Sequence, residues 1–294
     1  MGVSAAGRIH AIARLMRVDR PVGTLLLLWP TLAALWIAAE GLPPIGILAA
    51  FVAGTFLARS AGCVVNDIAD RNVDGHVERT RDRPLPKGEV SLGEALVLLV
   101  VLATLCLAVV LTLNAAVRWF ALAGAGIAAG YPFLKRWTHW PQAALGVAFS
   151  WGIPMAFAAV TGTTNAIAWL LFAASFLWII AYDTLYAMVD RDDDLIVGIK
   201  STAILFGRAD RAVVGALQLG TVALLVLLGV RAGLEDAWYM GVAVALALFV
   251  FQQRLIKSRH RDACFKAFGN NVWVGFALFA GAVAEFGGAG IGYR

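Results

Sequence analysis

Long apolar runs dominate the chain, separated by short polar stretches. Nine such runs lie near residues 21–39, 44–63, 93–113, 115–132, 141–160, 166–187, 212–230, 237–253 and 268–287. Apolar segments of about 17–25 residues are long enough to cross about 30 Å of hydrocarbon as helices. The pattern therefore predicts an all-α, polytopic membrane protein with about nine transmembrane helices. Pro21, Pro43, Pro44 and Pro141 stand at the predicted helix starts, where a missing amide donor costs little. Pro30 and Pro154 fall inside spans and should kink them. Ahead of the first span, Ile9, Ile12, Leu15 and Met16 share one face at helical spacing. That predicts a short amphipathic helix on the membrane surface.

Composition strengthens this reading. Hydrophobic residues make up 61% of the 294 and charged residues only 15%, against about 45–50% and about 25% in a soluble domain. The net charge of +5 does not point to nucleic acid, because the basic residues sit in loops between apolar runs. With nine spans and the N-terminus inside, every Lys and Arg except Arg118, Arg231 and Arg294 falls on the inner side. Such asymmetry is the signature of cytoplasmic loops and predicts a multi-pass protein of a bacterial-type inner membrane. Cys63, Cys106 and Cys264 lie far apart with no metal-binding spacing. The first twenty residues carry four arginines and no apolar stretch ahead of a cleavage site, so no removable signal peptide is expected. Nothing in the sequence calls for an obligate protein partner.

Two acidic clusters interrupt the apolar pattern. One is Asn66-Asp67-Ile68-Ala69-Asp70-Arg71-Asn72-Val73-Asp74; the other is Asp190-Arg191-Asp192-Asp193-Asp194, shortly after Tyr182-Asp183. Both fall on the predicted cytoplasmic side. If the second span continues as a helix, Asp67, Asp70 and Asp74 lie at i, i+3 and i+7 on one face, with Asn66 beside Asp70. Asp190 and Asp194 form an i, i+4 pair, and like charges at that spacing repel. A hard cation that shares its shell with phosphate oxygens would relieve the repulsion, which points to Mg2+. Arg71, Arg79, Arg81, Arg83, Lys135, Arg136 and Lys200 are interleaved with the acids. Carboxylates, magnesium and basic side chains together suit a polyphosphate. No nucleotide-binding glycine loop is present, so a diphosphate ester with a lipid tail fits better. Asp70 and Asp190 stand 120 residues apart, each followed four residues later by another Asp. This suggests one membrane-embedded domain over 1–294, made of two four-helix pseudo-repeats plus a ninth helix.

Taken together, these residues resemble the UbiA superfamily of intramembrane prenyltransferases. The first cluster matches the pattern NDxxDxxxD and continues to Arg83-Pro84-Leu85-Pro86-Lys87-Gly88. The second, from Tyr182 to Asp194, is followed by Gly198-Ile199-Lys200-Ser201-Thr202-Ala203. With the opening Arg20-Pro21-Val22-Gly23-Thr24-Leu25-Leu26-Leu27-Leu28-Trp29-Pro30, it looks like the branch acting on 4-hydroxybenzoate. The resemblance implies nine helices around a central cavity that opens to lipid. It also implies transfer of a polyprenyl group from polyprenyl diphosphate to the ring carbon ortho to the hydroxyl of 4-hydroxybenzoate, in ubiquinone synthesis. By motif match, Asn66, Asp70, Asp74, Asp190 and Asp194 would hold magnesium and diphosphate. Tyr131 and Lys135 match a YxxxK element, and Arg79, Lys135 and Lys200 are candidates for diphosphate. Arg136 is a candidate for the aromatic acid or diphosphate. In one departure, Leu195-Ile196-Val197 are all apolar where relatives often carry a basic residue.

Other polar residues have two readings. Tyr182 and Tyr186 could line the cavity and face the cation or belong to an interfacial aromatic belt. Asp183 within an apolar span should face a cavity or pair with an arginine. Asn270-Asn271 would cap the last helix. A transporter would place its acids near the midplane in broken helices, whereas here they cluster at span ends with arginines. A sibling enzyme acting on another quinone or haem precursor remains the nearer alternative.

Overall fold

The computed structural model describes residues 5–72, 74–76, 80–134 and 137–287. Twelve α-helices run in the order α1 (Ala5–Leu15), α2 (Val22–Ala39), α3 (Ile45–Asp70), α4 (Leu92–Leu111), α5 (Ala115–Leu134), α6 (Pro141–Ser150), α7 (Gly152–Thr161), α8 (Ala166–Val197), α9 (Thr202–Phe206), α10 (Asp210–Ala232), α11 (Asp236–Leu255) and α12 (Arg261–Gly287). Among the described residues, eight segments are long and apolar enough to cross a membrane, one of them α6 and α7 together. The apolar stretch of α5, Ala115–Gly130, is shorter; counting it gives nine. The fold is that of a multi-pass, all-helical membrane protein.

Proline chemistry sets several boundaries. α2, α3 and α6 begin at or just after Pro21, Pro44 and Pro141. The fifth span breaks at Trp151 into α6 and α7. Pro154 lacks the amide that would bond the Ser150 carbonyl, and its ring crowds that carbonyl. The Trp151 indole instead donates to the Phe120 carbonyl at 2.7 Å, fastening the break to α5. α4 opens with a capping box between Ser91 and Glu94.

Three apolar clusters fill the interior. The largest joins α2, α7, α8, α10, α11 and α12 around Trp178, Trp238 and Phe157. A second sits at the far end of α8, where Leu185, Met188 and Ala203 meet Val214, Ile256 and Cys264. The third fixes α1, whose Ala11 and Leu15 pack with Val64, Val90, Ala95 and Leu102. The apolar face of α1 therefore rests on protein, while Ile9, expected on that face, is exposed.

Amides act as polar links between helices, where no water competes. Gln218 donates to Gln252 at 2.9 Å, and Gln252 donates to Asn270 at 3.0 Å, tying α10, α11 and α12. Asn271 accepts from the Trp178 indole at 2.8 Å. α12 starts nine residues before Asn270, at Arg261. Asn270 and Asn271 therefore lie inside the helix and do not cap it.

Candidate active site

The acidic motifs occupy the ends of two helices that overrun their spans. α3 carries the first motif as far as Asp70 and stops there. Asp74 lies beyond it, in a short 3-10 turn at Asp74–His76. The expectation that Asp67, Asp70 and Asp74 share one helical face therefore fails at Asp74, which is held by the loop. α8 continues as expected through Asp190 and Asp194 to Val197. Gly198 ends it with φ +74°, and the amides of Gly198 and Ile199 close on the Asp194 carbonyl. A left-handed glycine stop of this kind satisfies the last carbonyls.

The two helix ends lie at one end of the bundle. Spans alternate in direction, so α6 begins at the end where α3 stops. Gln142, at the start of α6, accepts from the Thr202 amide just beyond α8 at 3.0 Å. Asp70, Asp74, Asp190 and Asp194 are 3%, 5%, 8% and 8% exposed. Buried carboxylates are costly unless a cation meets them. Among the described residues no three Asp, Glu, His or Cys side chains converge to hold one ion. Mg2+ takes one or two carboxylates and completes its shell with water and phosphate oxygens. Burial raises the Asp74 carboxyl above its ordinary range, and Asp70 and Asp67 add to the effect; the Arg83 guanidinium opposes it.

Asp67 differs from its neighbours. It is fully buried, and Arg17 Nη2 lies 2.8 and 2.9 Å from its two oxygens. Arg83 Nη1 reaches Asp67 at 3.0 Å and Asp74 at 2.7 Å. Thr80 donates to the Asp74 carbonyl at 2.9 Å. Arg14 adds a 2.8 Å contact to Glu89, and Arg8 reaches Glu94 at 3.2 Å. The helix α1 and Arg17, two residues beyond it, thus brace the loop that carries Asp74. Arg17 and Arg83 are committed to structure here, a role the basic-residue count alone did not reveal.

Of the other candidates, Asn66 lies half-buried on the last turns of α3, and Asp183 and Tyr186 lie half-buried on α8. Tyr186 packs on Phe268 with ring centroids 4.5 Å apart, and Tyr182 stacks edge-on to Trp178 and Phe268. Both tyrosines thus pack against α12. Lys200 Nζ contacts the Trp137 carbonyl at 3.3 Å. Arg79, Lys135 and Arg136, with the side chain of Tyr131, lie outside the described residues.

Sequence reasoning missed Arg59 by counting it as a loop cation. It stands within α3, seven residues before Asn66 and eleven before Asp70. Those spacings put all three on one face, with Arg59 about 16 Å along the helix from Asp70. Its guanidinium lies over the Phe149 ring at 5.5 Å, and its Nε is buried without a hydrogen-bond partner. A side chain on Gly23 would meet Arg59 Nη2 at 2.5 Å. The glycine of the opening motif therefore makes room for this guanidinium. The heptad spacing from Asn66 was the signal available in the sequence.

Comparison with known proteins identifies the family. The profile of the UbiA prenyltransferase family matches residues 27–280. The chain is 57% identical over 279 residues to proteins named 4-hydroxybenzoate octaprenyltransferase from Salmonella paratyphi C (strain RKS4594) and Salmonella enteritidis PT4 (strain P125109), covering 95% of this chain and 96% of each relative. In fold it is similar to a UbiA homolog from Aeropyrum pernix K1, with TM-score 0.80, 24% identity and coverage of 90% of this chain and 98% of that one. It is also similar to a UbiA homolog from Archaeoglobus fulgidus bound to GPP and Mg2+, with TM-score 0.71, 19% identity and coverage of 92% and 99%.

Proposed function

The chain belongs to the UbiA prenyltransferase family, and from that premise we propose that it transfers a polyprenyl group from polyprenyl diphosphate to the ring carbon ortho to the hydroxyl of 4-hydroxybenzoate, in ubiquinone synthesis. The observation that carries the reading is the pair of buried acidic helix ends, Asp70 with Asp74 and Asp190 with Asp194, at one end of the bundle.

In this reading Asn66, Asp70 and Asp74 hold one side of the magnesium-bound diphosphate, and Asp190 and Asp194 hold the other. Magnesium, when bound, neutralises the diphosphate so that it becomes a good leaving group. Lys200, with Arg79 and Lys135, contacts the diphosphate oxygens. The allylic C–O bond breaks and the electron pair leaves with diphosphate. The ring, made electron-rich by its hydroxyl, supplies the pair that forms the new C–C bond, and the ring carbon then loses its proton. Tyr186 and the half-buried Asp183 lie two turns or fewer from Asp190 on α8 and favour the cationic character of the transition state. Arg59 takes the carboxylate of the aromatic acid, because it is a half-buried cation whose Nε is buried and which has no carboxylate partner among the described residues. Arg136 serves the diphosphate side.

The distribution of basic residues supports a bacterial inner membrane with the N-terminus and both acidic motifs facing the cytoplasm. Cysteine accessibility in sealed spheroplasts tests it: a cysteine introduced at Ile196 should resist an impermeant reagent until the cells are opened. One domain of two four-helix pseudo-repeats and a ninth helix remains our reading of the chain's organisation. The transporter alternative is disfavoured by acids that sit at the ends of α3 and α8, away from the middle of the spans. The test of the activity is transfer to 4-hydroxybenzoate in membranes, with homogentisate and dihydroxynaphthoate as competing acceptors; a preference for either would favour a sibling enzyme.

A further inference from the structure

The end of α8 is gripped on both sides by residues that neither acidic motif includes. On a helix each residue turns about 100°, so Asp190 and Asp194 lie within about 40° of each other. Arg191 stands about 100° to one side of Asp190 and Asp193 about 60° to the other. Arg191 is held by Asp210 at the start of α10, which Arg259 of the α11–α12 loop also binds, and Asp193 is held by Arg261, the first residue of α12.

On the first flank, Arg191 Nη2 donates to the Ala203 carbonyl at 2.7 Å and to the carboxylate of Asp210. Asp210 is fully buried at the start of α10. It also receives Arg259 Nε at 2.9 and 3.1 Å and the Arg211 amide. Arg259 donates in addition to the Arg208 carbonyl at 2.9 Å. Its backbone is left-handed, with φ +57°, a conformation that a non-glycine residue rarely takes without compensating contacts. On the second flank, Arg261 forks onto Asp193, with Nη1 at 3.2 Å from one oxygen and Nη2 at 3.1 Å from the other. The contacts across the two flanks link α8, α9, α10, the α11–α12 loop and the start of α12.

Helix ends fray because their last carbonyls have no partner within the helix. Here the fraying tendency is increased by two buried carboxylates one turn apart, which repel. We propose that Asp210, Arg259 and Arg261 are positioning residues that fix the rotation and helicity of α8 at residues 190–194, so that Asp190 and Asp194 face the diphosphate together. The catalytic part of this proposal rests on the prenyltransferase reading above; the mechanical part does not. Residues outside a metal's direct ligands that orient those ligands typically change metal affinity by about 10–100-fold when removed.

Two arms test the proposal on the full-length protein in nanodiscs. In the first, amide hydrogen exchange is followed without added magnesium or substrate. Asp210→Asn and Arg261→Gln should each speed exchange at 190–197 and leave α2 and α4 unchanged. In the second, prenyl transfer is measured against magnesium and geranyl diphosphate. Both variants should raise the magnesium concentration for half-maximal rate and the KM for the diphosphate about tenfold, with the KM for 4-hydroxybenzoate unmoved. The swapped pair Asp193→Arg with Arg261→Asp should restore slow exchange and recover most of the diphosphate KM. Unchanged exchange at 190–197 in both variants, or a swapped pair no better than Arg261→Gln alone, would overturn the proposal. If Asp210→Asn does not fold, Arg261→Gln and the swapped pair decide it. A wild-type protein without prenyl transfer would overturn the prenyltransferase reading, and the exchange arm would still decide whether Asp210 and Arg261 hold the end of α8.

Discussion

Arg17 grips Asp67 across fifty residues of sequence, one guanidinium nitrogen lying 2.8 Å from Oδ1 and 2.9 Å from Oδ2. Arg83 meets the same carboxylate at 3.0 Å. Within a motif of acids that read alike, this one is already balanced by two cations, while Asp70 carries the metal role in our account. Removing Asp67 would leave the part-buried Arg17 guanidinium without its counter-ion and Arg83 with Asp74 alone, a loss of about 3–5 kcal/mol in comparable buried pairs. Asp67→Ala should lower the thermal midpoint in detergent markedly. Asp70→Ala should leave the midpoint near wild type and abolish transfer. Equal midpoints for the two variants would show that Asp67 does not brace the fold.

Gly23 faces the guanidinium of Arg59, and an added Cβ would approach Nη2 to 2.5 Å. Because the obstructing atom ends a flexible side chain, the arginine can move aside at little cost to the fold. Gly23→Ala should therefore express and fold normally and raise the KM for 4-hydroxybenzoate, leaving that for the diphosphate unchanged. Arg59→Gln should produce the same selective change, larger. A rise in the diphosphate KM alone would assign Arg59 to the other substrate.

Asp74 has its carboxyl raised above the ordinary range by burial, while Arg83 holds it down. A raised carboxyl takes up its proton at a higher pH, and the proton competes with Mg2+ for the same oxygens. The magnesium requirement should therefore climb as pH falls, starting above the pH at which an ordinary carboxylate titrates. Removing the opposing charge with Arg83→Gln should move that climb to still higher pH. Titrating magnesium at a series of pH values checks it; a midpoint displaced to lower pH in the variant contradicts the assignment.

Most of the architecture was legible in the sequence because the bilayer demands uninterrupted apolar helices and prolines punctuate them. Each span begins or ends within a few residues of its apolar run, except where α3 and α8 extend into polar sequence to carry the acids. The break at Trp151 was foreshadowed by Pro154, though not its division of the span into two helices. The acids were recognised, but their roles were not separable by spacing. Asp67 and Asp70 have the same side chain and lie three residues apart, and only the arrival of Arg17 and Arg83 from distant segments distinguishes them. Likewise Asp210 and Arg259 are unremarkable in sequence and meet only because α8, α10 and the α11–α12 loop converge. Arg59 was hidden by its count among topology-setting cations, although its spacing from Asn66 and Asp70 placed it on their face.

Magnesium removal should stop turnover in membranes treated with excess chelator, and adding magnesium back should restore it. Asp190→Asn should shift the magnesium requirement upward and leave the helical content unchanged by circular dichroism. Turnover that persists in excess chelator would contradict a metal-held diphosphate.

The most direct test of the central claim is transfer of a polyprenyl group onto radiolabelled 4-hydroxybenzoate, in membranes containing the protein, polyprenyl diphosphate and magnesium. The account predicts a lipid-soluble labelled product from the wild type and none from Asp70→Ala or Asp190→Ala, both folded in the membrane. Full activity in either variant, or no product from folded wild-type protein, would contradict it.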